Sequence, residues 1–124
     1  MYWEPERSAT IKIGKDEYPI LLTLRATKEI AKKYGGLNEL AEIVFSDQWE
    51  EAIDDMLWLI TLLANQCIAI KNLYEKSHDP MLKPEELEQL ISPFDIPAYS
   101  LAIMQCLQAG SKRHVESEET DSKN

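Results

Sequence analysis

The sequence predicts a mainly α (α+β) domain: a short N-terminal β-hairpin followed by about five helices packed around one long central helix. Three observations predict it. Residues 10–22 hold two short runs rich in β-branched and aromatic residues on either side of a Gly-containing turn. From Thr23 onward the apolar residues recur at helical spacing. Asp47 to Tyr74, centred on Met56-Leu57-Trp58-Leu59-Ile60, forms a helical stretch of roughly 40 Å, too long and too apolar to lie on a surface.

Each element has a local cause. Thr10-Ile11-Lys12-Ile13 and Glu17-Tyr18-Pro19-Ile20-Leu21-Leu22 flank Gly14-Lys15-Asp16, and Pro19, which cannot donate to a ladder, places the second strand at an edge or near its start. Thr23 is a suitable N-cap for a first helix through Ile30 and Tyr34, which Gly35-Gly36 ends. Leu37 to Phe45 reads as a short second helix with Leu37, Leu40, Ala41 and Val44 inward.

For the long helix, Asp47 and Glu50 approximate a capping box, and Glu51, Asp54 and Asp55 place negative charge where the helix dipole favours it. Trp49, Ile53, Met56, Ile60, Leu63, Cys67, Ile70 and Tyr74 form its core stripe. Pro84 at a first helical position opens a fourth helix toward Ile91. Asp95 and Pro97 set up a fifth, with Tyr99, Ile103, Cys106 and Leu107 on one side and a stop near Gly110. The expected organisation is a flexible lead-in over residues 1–9, one compact domain over 10–114 and a disordered acidic tail over 115–124.

A chain of 124 residues with 44% apolar content fits one such domain. The net charge of −9 speaks against nucleic acid or an anionic membrane surface as partner. The window between Asp55 and Lys71 is uncharged but shorter than the ~20 residues a bilayer core needs, and it contains Thr61, Asn65 and Gln66. The start, Met1 to Arg7, lacks the basic and apolar regions of a signal peptide. Cys67 and Cys106 sit in apolar helical patterns, as free buried thiols do, which suits a reducing cytoplasm.

The residues for chemistry do not assemble. His78 lies in a polar loop and His114 borders the acidic tail, so neither has an apolar pocket to tune it as a base. The cysteines lack zinc spacing, and no calcium loop or phosphate loop is written in the chain. The paired carboxylates Glu50-Glu51, Asp54-Asp55 and Glu85-Glu86 stand at helix starts, where the dipole already accounts for them. Arg25, Lys28 and Lys32 make one basic face, which answers the molecule's own acids or an acidic neighbour. No enzymatic activity, cofactor or metal is therefore expected. The candidate protein-binding residues are Trp58, Leu62, Ala69 and Leu73, a second apolar row nearly opposite the core stripe, to be covered either by this chain or by a partner.

The order of features resembles the small tail assembly chaperones of tailed phages and prophages of Gram-positive bacteria. The likeness runs from Ile11-Lys12-Ile13-Gly14-Lys15-Asp16-Glu17-Tyr18-Pro19 through Thr23 to Ile30 and Lys33-Tyr34-Gly35-Gly36-Leu37. It continues along the long helix to Leu82-Lys83-Pro84-Glu85-Glu86-Leu87 and Ala109-Gly110-Ser111-Lys112-Arg113. The resemblance implies a non-enzymatic protein of the bacterial host cytoplasm that binds the tape measure protein during tail morphogenesis and helps bring tail tube subunits to it. It carries no site residues over by position. The competing class is a head–tail connector or tail-terminator subunit retained in the virion. Whether the chain forms a homo-oligomer stays open at this level.

Overall fold

The computed structural model of the chain describes residues 2–123, with all side chains except those of Trp49 and of residues 110–123. A 3-10 turn, Pro5–Arg7, leads into β1 (Ser8–Ile13) and β2 (Asp16–Leu21). Five helices follow: α1 (Leu24–Tyr34), α2 (Leu37–Val44), α3 (Ile53–Glu75), α4 (Pro84–Leu90) and α5 (Ile96–Lys123). The predicted fold class is the observed one.

The hairpin pairs antiparallel from Ser8↔Leu21 to Ile13↔Asp16. Its two-residue loop has Gly14 at φ 64°, the positive value that type II′ hairpins need at the first loop position. Ile11, Ile13 and Ile20 point into the core, while Lys12 and Glu17 face solvent. Pro19 sits within β2, which is tolerated because each strand of a two-stranded sheet is an edge. An isolated hairpin is marginal in water, and this one is wedged between helices, with α3 along β2 and α5 along β1. The Tyr99 hydroxyl donates to the Lys12 carbonyl and ties α5 to β1.

Thr23 caps α1 as expected: its hydroxyl oxygen accepts from the Ala26 N–H at 3.0 Å. The same hydroxyl donates to Gln66 Oε1 at 2.6 Å, so the cap also fixes α1 against α3. Gly35, at φ 99°, ends α1 in the left-handed region. At α4, the Lys83 N–H donates to Glu86 Oε1 at 2.9 Å and Pro84 holds the first position. The axes of α4 and the start of α5 then differ by 100°.

Along α3, Met56, Leu57, Leu59, Ile60, Leu63, Ala64 and Cys67 are buried. From Glu50 to Glu75 this segment is long and apolar enough to cross a bilayer, but much of its apolar surface is the core of the domain. Ile70, assigned to the core stripe, is half-buried and Tyr74 is exposed; the Trp49 side chain lies outside the described residues.

The boundaries differ from expectation in three places. The long helix does not start at an Asp47–Glu50 capping box; a 3-10 turn, Trp49–Ala52, precedes it, closed by the Glu51 N–H on the Gln48 carbonyl at 3.0 Å. Tight i→i+3 bonding there replaces the side-chain cap. The lead-in is built into the domain. β1 begins at Ser8, Arg7 donates to the Leu22 carbonyl at 3.4 Å, and Tyr2 stacks on Tyr74.

The third difference is at the C-terminus. The backbone of α5 runs through Gly110 to Lys123, across most of the 115–124 segment expected to be disordered; Asn124 lies outside the described residues. A glycine inside a helix costs only about 1 kcal/mol and need not end it.

Leu59 has no exposed surface and sits where the hairpin and helices converge. Leu59→Ala is expected to lower unfolding free energy by about 2–5 kcal/mol, measured by chemical denaturation, with no change in far-ultraviolet dichroism of the folded protein.

Candidate protein-binding face

The predicted row Trp58, Leu62, Ala69 and Leu73 is divided by the fold. Its first half is partly covered by the chain itself. The half-buried Trp58 ring meets Tyr34 edge-on, with centroids 5.4 Å apart, and the Lys33 ammonium lies 5.2 Å from the indole centroid. Both partners come from the last turn of α1. The Tyr34 hydroxyl donates to Asp55 at 2.5 Å, and burial together with that carboxylate raises the phenol's pKa. Leu62 is also half-buried against the core, beside Gln66, whose amide donates to the Leu62 carbonyl at 3.0 Å.

The second half is open. Ala69 is exposed and Leu73 retains 76% of its surface. Around them, Tyr2, Tyr74 and Leu24, the last 79% exposed, extend the apolar patch. Of the predicted row, Ala69 and Leu73 lie at this end; Tyr2 comes from the lead-in, Leu24 from the first turn of α1, and Tyr74 from the stripe of α3 predicted to be core. The aromatic pair Tyr2-Trp3 was the available signal.

Tyr2 and Trp3 stand between two concavities. One, of about 690 Å³, is lined by Leu21, Leu24 and Ile70. The other, of about 410 Å³, is lined by Tyr18, Pro19, Ala64, Cys67 and Ile68. Tyr2 is held by parallel stacking on Tyr74 at 4.9 Å and by a 2.7 Å hydrogen bond from its hydroxyl to Glu75. Among the described residues the buried indole N–H of Trp3 finds no hydrogen-bond acceptor, an arrangement that costs about 1–3 kcal/mol.

Polar groups form the rim. Lys71 pairs with Asp79 at 3.0 Å; both are exposed, so the pair adds little stability. Asn72 organises the loop after α3, donating to the Asp79 carbonyl and accepting from Ser77 and the Asp79 N–H. Asn65 does the same for the segment before α4, through both polar groups of Leu82.

The residues weighed for chemistry stay apart. His78 is exposed, the His114 side chain lies outside those described, and no metal-binding group of His, Cys, Asp or Glu occurs among the described residues. Arg25, Lys28 and Lys32 are exposed on α1. Burial pushes the Cys67 thiol up to about 12, with Cys106 adding to the effect. Burial likewise raises Cys106 to about 11, opposed by the Leu22 backbone and Arg7. Neither cysteine is a nucleophile near neutral pH. No family model, no curated protein and no solved structure matches the chain.

Two outcomes follow from these environments. Trp58→Ala is expected to cost about 2–3 kcal/mol in urea denaturation, whereas Leu73→Ser stays within about 0.5 kcal/mol of wild type. Because both thiols hold their protons more tightly when folded, stability is unaffected by them below their ordinary value of 9.0 and falls as pH rises toward 11 to 12. Denaturation midpoints taken from about pH 8 to about pH 11 should decline, and the decline should shrink in a Cys67→Ala/Cys106→Ala variant.

Proposed function

We propose that this protein is a non-enzymatic tail assembly chaperone of a tailed phage or prophage, acting in the host cytoplasm. It holds the tape measure protein until tail tube subunits enclose it. The observation that supports the reading most directly is the open apolar patch of Tyr2, Leu24, Ile70, Leu73 and Tyr74. The ordered resemblance of the chain from Ile11 to Arg113 supports it independently.

A tape measure protein displays long apolar helical stripes before the tube surrounds it, and such stripes aggregate. Leu24, Leu73 and Tyr74 offer such a stripe a complementary surface, and the flanking concavities accept single projecting side chains, as helix-in-groove recognition requires. The net charge of −9 keeps the complex soluble. Each contact is modest, so coverage of a long partner depends on several chaperone molecules at once.

Co-expression with a tape measure fragment tests the proposal. The wild-type chain is expected to keep the fragment soluble and to co-purify with it. Leu24→Ser and Leu73→Ser should each weaken capture by about tenfold while preserving the fold. A fragment that precipitates regardless of the wild-type protein would sink the idea. Mass spectrometry of purified virions separates a chaperone, absent from the particle, from a connector or terminator present in stoichiometric amount.

A further inference from the structure

We propose that the lead-in is a displaceable strap: Tyr2 and Trp3 close a trough between β2 and α3 in the free chain and swing out of it as one unit. These are the two residues shared by the linings of both concavities at this end of α3, so they form the wall that divides them. With that wall lifted, the two become one trough bordered by Tyr18 and Pro19 of β2, Leu24 of α1, and Cys67, Ile68 and Ile70 of α3. Such a trough takes a row of apolar side chains from one helix, where the divided concavities take them singly. For its occupant, the proposal rests on the reading of this end of α3 as the partner-binding face.

The base and the tip of the strap are held differently. At the base, the Arg7 N–H donates to the Glu4 carbonyl at 3.0 Å and Ser8 Oγ donates to the Pro5 carbonyl at 3.0 Å. The Arg7 guanidinium donates to the Leu22 carbonyl at 3.4 Å, and the turn packs on α5. The tip is held by surface contacts, the Tyr2 ring on exposed Tyr74 and the Tyr2 hydroxyl on exposed Glu75. Trp3 adds burial, but among the described residues its buried N–H finds no acceptor, and transfer to water supplies one. Movement of residues 2 and 3 breaks no strand pairing, because β1 begins at Ser8. A closed strap lowers the apparent affinity of the face in proportion to the fraction of molecules closed.

Cys67 reports on opening, because it lines the concavity that Tyr2 and Trp3 border, whereas Cys106 is enclosed in the core beneath α5. The full chain is treated with N-ethylmaleimide under native conditions, and peptide mass mapping follows each cysteine separately. Cys67 is expected to react at least about tenfold faster than Cys106, at a rate nearly independent of low urea, since a local opening exposes little surface. Tyr2→Phe, which removes the bond to Glu75, and Tyr74→Ala, which removes the stack, should each raise the Cys67 rate about three- to tenfold and leave Cys106 unchanged. Both substitutions keep the Trp3 ring and the surroundings of Cys67. Trp3→Ala, with an unchanged thermal midpoint, should bind the neutral apolar dye Nile red several-fold more tightly than wild type. Equal rates at the two cysteines, a Cys67 rate unmoved by Tyr2→Phe and Tyr74→Ala, or dye binding unaltered by Trp3→Ala would overturn the proposal. None of these readouts requires a tape measure fragment, so failure of capture and failure of the strap are told apart.

Discussion

The structure depends on the need to bury α3 from several sides. Leu59, Ile60 and Leu63 have no exposed surface, and Met56, Leu57, Ala64 and Cys67 nearly none, so no single neighbour could cover the helix. Burying side chains of this size stabilises by about 1.5–3 kcal/mol each, which makes enclosure of α3 the main driving force of the fold. The remaining elements are placed accordingly. β2 lies along α3, α5 backs the hairpin through β1, α1 is locked to α3 by Thr23 and Gln66, and Asn65 holds the approach to α4.

The reach of those elements explains the open end. α3, with 23 residues, is roughly 35 Å long, whereas α1 spans about 16 Å and each strand about 20 Å. α1 and the two strands are each shorter than α3, and Leu73 and Tyr74 in its last turns are exposed. The lead-in partly compensates: Tyr2 stacks on Tyr74 and Trp3 fills part of the groove, leaving Leu24 and Leu73 in solvent.

Local features written in adjacent residues were legible in the sequence. The hairpin turn at Gly14, the Thr23 cap, the Gly35 stop and Pro84 opening α4 all act over a few residues, and the structure has each. Side-chain capping at Asp47 was misread because a 3-10 turn can satisfy the same backbone groups without a cap. Gly110 was misread because helix continuation sums small propensities over many residues, and one unfavourable glycine does not decide it. Periodicity placed Trp58 and Leu73 on one row, yet it holds no information about how far along that row α1 reaches. Tertiary length, absent from any local pattern, separates the half-buried Trp58 from the open Leu73.

The molecule therefore exposes apolar surface in two chemically different settings. The patch at the end of α3 adjoins Lys71 and Glu75, so charges of both signs border it. The α5 face has no charge between Ile96 and Ala109, so electrostatics favours no particular partner there. They are built on different elements, α3 with α1 and the lead-in in one case, α5 in the other. Under the proposed function, modest single contacts on the α3 patch become effective when several copies engage one long partner.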